Sequence, residues 1–215
     1  MASLGFTAGV KRVVTVFAAG AAALTLAAPA SAAPFPATTW KVTPTSPTPL
    51  PVKMTNSGNV VWTLGAFQLT CTSATVTGSF IGATGNPAQI GTFTAGTWGP
   101  TCTSPLGPFS LVHVGGWKIW AKSYDPVTGV TDGYINNVTL NWTGGSMKFT
   151  VIGKMSVKYT NSTGALAVTP LPGELSVINP VNCGALFTTA TKPTLKATYL
   201  VKVTNTTTIP KIVGS

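Results

Sequence analysis

Acidic side chains are scarce in this chain of 215 residues, since Asp and Glu together supply three residues against 13 Lys and Arg. One histidine and three cysteines are the other groups that could serve in catalysis or metal binding. Enzymes that use paired acids, and metal sites built from His and Cys clusters, usually need more of these residues. We therefore expect a protein that is not an enzyme, with no metal site and no cofactor.

Long apolar runs are lacking beyond the first 32 residues. Lys11 and Arg12 precede an apolar stretch over residues 13–28, and Ala30-Ser31-Ala32 follows. This order is typical of a secretory signal peptide, and we expect cleavage after Ala32. An uncleaved anchor is the alternative. The mature chain would be secreted, without a transmembrane helix, and its 11 lysines and three acids give 11 − 3 = +8.

Arginine is missing from the expected mature chain, in which every strong base is lysine. Arginine is the usual residue for bidentate recognition of phosphate and guanine. We therefore expect no specific nucleic-acid binding. A positive net charge still attracts polyanions, and an anionic envelope polymer is a candidate partner.

Helical periodicity is also lacking, and apolar residues alternate with polar ones instead. Residues 147–159 carry apolar side chains at odd positions, with a bend expected at Gly153, and residues 195–203 alternate in the same way. A third alternation, over residues 134–142, places Tyr134 on the same face as Trp142. A period of two predicts half-buried strands.

Turn residues separate these strands. The sequence Asp125-Pro126-Val127-Thr128-Gly129 predicts a hairpin turn. Many short strands with regular turns predict an all-β fold, namely an antiparallel β-sandwich (Ig-like or jelly-roll-like) of about nine to eleven strands, with a closed barrel as the second possibility. Residues 33–51 should form a Pro/Thr-rich N-terminal segment in which residues 40–43 could be a short edge strand. Residues 52–215 should form a single all-β domain.

The three cysteines allow at most one internal disulfide. We predict a bridge between Cys71 and Cys102, because both lie in the same β-rich half of the chain. It would close a loop of about 30 residues and stabilise the fold by roughly 3–4 kcal/mol. Cys183 would remain an unpaired thiol, either buried as a small apolar side chain or joining two chains.

Six short stretches share a pattern of Gly, Thr and turn residues, namely residues 37–44, 90–91, 102–107, 123–131, 159–164 and 183–186. In these stretches the chain resembles a group of small secreted proteins of actinobacteria. The resemblance spans most of the mature chain and implies an extracellular location and a β fold, but no activity. Members tend to carry four cysteines in two pairs. The missing one would lie near Gly145-Ser146, which implies that Cys183 has lost its partner and that the Cys71–Cys102 bridge is kept.

Five lysines lie on predicted polar strand faces. If these strands pair, the lysines could form one basic patch that adheres to an anionic polymer or a membrane surface. Alternatively, they keep the protein soluble and discourage pairing at sheet edges. These residues are Lys148, Lys154, Lys158, Lys196 and Lys202.

Aromatic residues offer a second candidate site. Alternation through residues 117–124 predicts that Trp120 and Tyr124 share an outer face with Lys118 and Lys122. Such an aromatic platform could stack against sugar rings, because these side chains have an apolar body and a polar tip. Alternatively, the two rings belong to a second layer of the core.

Catalytic motifs are missing. A Ser–His–Asp arrangement would have to use His113 with Asp125 or Asp132, and no G-x-S-x-G elbow occurs. We therefore expect a secreted, non-catalytic β domain of the extracellular space or cell envelope, structural or adhesive, that binds a cell-wall glycan or an anionic polymer. Two alternatives stay open, an outer-membrane-type β-barrel pore with lysines inside and a hydrolase that uses His113.

Overall fold

The computed structural model describes residues 33–215, and every regular element in this range is a β-strand. The predicted signal peptide, residues 1–32, lies outside the described residues. No helix that could span a membrane occurs in residues 33–215.

The predicted all-β, antiparallel class is confirmed. The described residues form seventeen strands rather than nine to eleven, and three of these have only two or three residues, too few to leave a periodic pattern. In chain order they are β1 (Phe35–Pro36), β2 (Thr39–Thr43), β3 (Leu50–Asn56), β4 (Val60–Leu64), β5 (Phe67–Cys71), β6 (Ala74–Phe80), β7 (Ala83–Thr84), β8 (Ala88–Trp98), β9 (Cys102–Ser104), β10 (Gly107–His113), β11 (Trp117–Asp125), β12 (Val130–Gly144), β13 (Met147–Thr160), β14 (Ala165–Thr169), β15 (Leu175–Val181), β16 (Thr194–Val203) and β17 (Lys211–Gly214).

Eight strands pair side by side and close into a ring. Their order is β11–β12–β13–β14–β16–β3–β6–β8, and β8 pairs again with β11. The interior is packed with apolar side chains. A cavity lined by Met54, Phe93, Trp117 and Tyr199, among others, measures about 10 Å³. This is room for about one water molecule, so the ring encloses a core rather than a ligand chamber.

A second layer gives the fold its sandwich-like character. Strands β4, β5, β9 and β10 connect the start of β16 to β12. Their inner side packs on the ring, with the Trp62 and Trp142 ring centroids 5.2 Å apart. Phe109 on β10 packs in the same way against Phe149 on β13, at 6.3 Å.

The N-terminal segment 33–51 carries β1, β2 and the start of β3. Residues 40–43, considered above as a possible edge strand, belong to β2, which lies between β17 and β7 in a separate three-stranded sheet. Trp40 on this strand is fully buried. Strand β2 is central rather than at an edge because β17, the last strand of the chain, pairs with it. Pairing between segments so distant in the chain leaves no local signal in the sequence.

The predicted disulfide between Cys71 and Cys102 is confirmed. Cys71 ends β5 and Cys102 begins β9, and the pairing of Thr70 with Thr103 brings the two cysteines opposite each other. Their Cα atoms are 4.3 Å apart and both residues are buried. The bridge therefore ties two strands of the second layer together.

Candidate functional site

A β-bulge in β11 removes Tyr124, one of the two residues of the predicted aromatic platform, from the outer face. The register of β11 against β12 shifts between Ala121 and Ser123, which leaves Lys122 as an extra residue. One extra residue inverts the alternation of every side chain beyond it. Tyr124, predicted on the outer face, is therefore buried, and its ring packs edge-on against Phe35. Trp120 and Tyr124 do not form a platform.

A second bulge, in β12, has the opposite effect on another tyrosine. The register of β12 against β13 shifts between Ile135 and Val138, and Asn137 has a φ of 58°. Tyr134 was predicted to share a face with Trp142. The bulge separates them, because Trp142 lies in the core whereas Tyr134 is only half-buried. Tyr134 thus lies on the outer face that Tyr124 was expected to occupy.

Trp120 and Tyr134 form the aromatic pair that the structure contains. They are direct cross-strand partners on β11 and β12, with ring centroids 6.1 Å apart and ring planes only 9° from parallel. Gln89 on β8 lies beside Trp120, and Ser156 on β13 lies beside Tyr134. The four residues form a row across four strands that is about 14 Å long, given a strand spacing of about 4.8 Å.

Charged groups adjoin one end of this row. Glu174, which lies just before β15, accepts hydrogen bonds from the backbone N–H and the hydroxyl of Ser156, at 2.8 and 2.7 Å. The Lys154 ammonium is 3.9 Å from a Glu174 oxygen and 6.0 Å from the centroid of the Tyr134 ring. The second distance is at the limit of a cation–π interaction. We call Trp120, Tyr134, Lys154, Ser156 and Glu174 the aromatic face.

Two glycines allow the backbones beneath the aromatic face to approach each other. A Cβ atom on Gly133 would lie 2.0 Å from the carbonyl oxygen of Trp120. A Cβ atom on Gly153 would lie 2.1 Å from the carbonyl oxygen of Glu174, and Gly153 has a φ of 140°. Only glycine fits at these contacts. The lack of a side chain at these two positions lets the Trp120 strand approach β12 and the Glu174 segment approach β13.

The five predicted lysines are all exposed, but they do not form one patch. Lys148 and Lys158 are ten residues apart on β13, which is about 33 Å at a rise of about 3.3 Å per residue. Lys154 faces Glu174, and Lys158 forms an ion pair with Asp132 at 3.1 Å. Two of the five positive charges are therefore matched by carboxylates.

Lys202 has a basic neighbour that was not among the five predicted lysines. Lys53 on β3 is its direct cross-strand partner, and both side chains are exposed. The alternation of apolar and polar residues along β3 could have identified Lys53 as an outward-facing lysine. Its position beside Lys202 depends on the pairing of β3 with β16, which no local pattern reveals. Lys196, lower on β16, lies opposite Val61 instead.

Cys183 is a free and buried cysteine in the described part of the chain. Its sulfur lies 3.5 Å from the carbonyl oxygen of Lys148. The neighbouring Asn182 amide donates to the carbonyl of Ser146, so the thiol lies beside the turn at residues 145–146. This environment corresponds to the first of the two predicted alternatives, a small buried side chain.

His113 packs on an aromatic ring rather than beside an acid. Its ring centroid is 4.5 Å from that of Trp117, and its buried Nε2 has no hydrogen-bond partner in residues 33–215. Burial lowers the pKa of His113. The Asp125 carboxylate accepts from the Thr128 hydroxyl, which lowers the pKa of Asp125, and Asp132 pairs with Lys158. Neither aspartate contacts His113. Residues 33–215 also hold no cluster of three metal-ligating side chains.

Known proteins give no relative from which a function for the aromatic face could be taken. No family model matches the chain, and no curated protein and no solved structure matches it either. The binding properties of the face therefore have to follow from its own rings and charges.

Proposed function

We propose that this chain is a secreted, non-catalytic β domain that binds a glycan of the cell envelope through the aromatic face. The observation that carries the proposal is the nearly parallel arrangement of the Trp120 and Tyr134 rings on an outer sheet surface. Aromatic rings pack against the C–H faces of sugar rings, and the Trp120 Nε1 atom itself is buried without a hydrogen-bond partner in residues 33–215.

The charged groups suit the hydroxyls of such a ligand. The Lys154 ammonium supplies hydrogen-bond donors, and the Glu174 carboxylate retains acceptor capacity beyond its two bonds to Ser156. The row from Gln89 to Ser156 runs across the strands for about 14 Å. This length favours an extended chain of sugar units over a single monosaccharide.

An extracellular location is part of the proposal. The signal-like residues 1–32 and the resemblance to small secreted actinobacterial proteins support it. The Cys71–Cys102 bridge is compatible with it, because disulfides persist mainly in oxidising compartments. The presence of only three acidic residues and one histidine favours binding over catalysis.

Co-sedimentation with insoluble envelope polysaccharides tests the proposal. Purified peptidoglycan and chitin are suitable probes, and the fraction of protein in the pellet is the measurement. We expect the wild-type protein to bind at least one of them. Replacing Trp120→Ala or Tyr134→Ala should weaken this binding about tenfold, equivalent to about 1.4 kcal/mol.

Two control variants keep the result specific. Lys118→Ala changes an exposed residue on the same strand as Trp120 without removing a ring, and Tyr124→Phe alters the buried tyrosine while preserving its packing. Both should bind like the wild type. The proposal fails if no polysaccharide retains the protein at low salt, or if the two ring variants bind as well as the controls.

A further inference from the structure

The outer surface of β3 and β16 contains a groove that is separate from the aromatic face. Its volume is about 800 Å³, and its lining includes Lys53, Lys202, Asn205 and Thr207. In the ring order, β16 is four strands from β11, and β3 is three strands from it by way of β8 and β6, so the groove lies on the side of the ring opposite Trp120. We call it the lysine groove.

Two like charges face each other in the lysine groove. Lys53 and Lys202 are direct cross-strand partners, and such pairs have Cβ atoms about 5 Å apart. Like charges at this distance repel each other and reduce the stability of the sheet. In residues 33–215, the lysines with ion-pair or side-chain hydrogen-bond partners are Lys154, Lys158 and Lys192, so neither groove ammonium is compensated.

The acidic residues are all committed elsewhere. Asp125 is held in the turn between β11 and β12, Asp132 pairs with Lys158, and Glu174 bonds to Ser156. No acidic side chain lines the lysine groove. Within residues 33–215, Lys53 and Lys202 therefore have no acidic side chain near them, and solvent ions or an anionic ligand can supply their counter-charge.

The groove wall adds neutral polar groups. The loop after β16 places Asn205, with a φ of 60°, and Thr207 along one side. Thr206 in the same loop is fixed by its hydroxyl, which donates to the carbonyl of Val203 at 3.0 Å. Amide and hydroxyl groups beside two ammonium groups provide the donors that phosphate oxygens accept.

The geometry points to a binding site for a linear phosphate polymer in the lysine groove. Lysine binds phosphate as a point charge, and two flexible lysine side chains whose Cβ atoms are about 5 Å apart can contact neighbouring phosphates of one chain. A groove of about 800 Å³ is far larger than one phosphate ion. Exposed lysine contacts are individually weak, so appreciable affinity requires several linked anions. The site is independent of the aromatic face.

Isothermal titration with long-chain inorganic polyphosphate tests this inference. We expect binding to the wild-type protein and no measurable heat with orthophosphate at the same phosphate concentration. Lys53→Gln and Lys202→Gln should each weaken binding about threefold, and the double variant about tenfold or more. The slope of log affinity against log salt should also decrease in the double variant, because fewer counter-ions are displaced.

Control variants separate a specific groove from general positive charge. Lys148→Gln removes the same charge from an exposed position far along β13 and should change the affinity less than about twofold. Trp120→Ala should bind polyphosphate like the wild type, which keeps this test separate from that of the aromatic face. Thermal melts of each variant establish that it is folded.

Three results would overturn the inference. The first is an equal loss of affinity in Lys148→Gln and in the groove variants, which would indicate a response to net charge alone. The second is equal binding of a carboxylate polymer, polyglutamate, with the same sensitivity to the groove variants. The third is binding to vesicles of anionic phospholipid without binding to polyphosphate, which would identify a membrane surface as the partner.

Discussion

The aromatic face and the lysine groove lie on opposite sides of one ring of strands, and they differ in whether a carboxylate lies near their lysines. On the aromatic side, Lys154 and Lys158 each lie near a carboxylate. In the groove, Lys53 lies beside Lys202 with no acid on the groove lining. The comparison shows that carboxylates compensate two lysines on one side of the ring, whereas two adjacent lysines on the other side have none nearby.

The close approach of the backbones beneath the aromatic face is the feature whose disruption should have the largest effect on stability. Replacing Gly153→Ala would place a Cβ atom 2.1 Å from the carbonyl oxygen of Glu174, at a φ of 140°. We expect the free energy of unfolding to fall by about 3 kcal/mol, because both the contact and the conformation are unfavourable. Urea denaturation measures this change.

A matched glycine substitution serves as the control. A Cβ atom on Gly116 would meet only the Thr92 side chain, at 3.3 Å. Gly116→Ala should therefore change the stability by less than about 1 kcal/mol. Equal stability of the Gly153→Ala variant and the wild type would show that Glu174 is not held against β13 by this contact.

The carboxylate of Glu174 provides the next test of the comparison. Replacing Glu174→Ala leaves the Ser156 backbone N–H and hydroxyl without their acceptor. We expect a loss of about 2 kcal/mol, as is usual for hydrogen bonds to a charged group. Lys154→Ala should cost less than about 1 kcal/mol, because its ion pair is long and its side chain is exposed. If the two variants lost the same stability, Glu174 would act only through its charge.

Lysine substitutions should change the free energy of unfolding least. The change should have opposite signs on the groove side and on the aromatic side of the ring. Lys202→Gln relieves the repulsion from Lys53 and should raise the free energy of unfolding by about 0.5 kcal/mol at low salt. Lys158→Gln breaks the pair with Asp132 and should lower it by a similar amount. Both differences should shrink at about 1 M salt, where charges are screened within about 3 Å. Changes of the same sign would contradict the comparison.

The sequence predicts the parts of the fold in which the alternation is unbroken. Strands β13 and β16 show the expected apolar and lysine-bearing faces, and their ends differ from the prediction by at most one residue. Charged and polar residues on one face of a strand make its orientation unambiguous. The Cys71–Cys102 bridge was equally predictable, because few pairings of three cysteines exist.

The two bulges explain why the composition of the aromatic face was not predictable. A single extra residue at Lys122 turns Tyr124 inward, and the shift around Asn137 leaves Tyr134 outside. Asn tolerates a positive φ, so Asn136-Asn137 was a weak signal for an irregularity. Lys122 gave no such signal. The Lys53–Lys202 pair depends on register between strands that are distant in sequence, which local patterns do not encode.

The central claim is that Tyr134, and not Tyr124, lies on the outer face beside Trp120. Nitration of the native protein with tetranitromethane, followed by peptide mass spectrometry, tests it most directly. Tyr124, Tyr159 and Tyr199 are buried, whereas Tyr134 is partly exposed beside Trp120. We predict that Tyr134 is nitrated first, and that the polysaccharide which retains the protein slows this reaction. Nitration of Tyr124 as fast as Tyr134, or a rate at Tyr134 that the bound polysaccharide does not change, would contradict the proposed aromatic face.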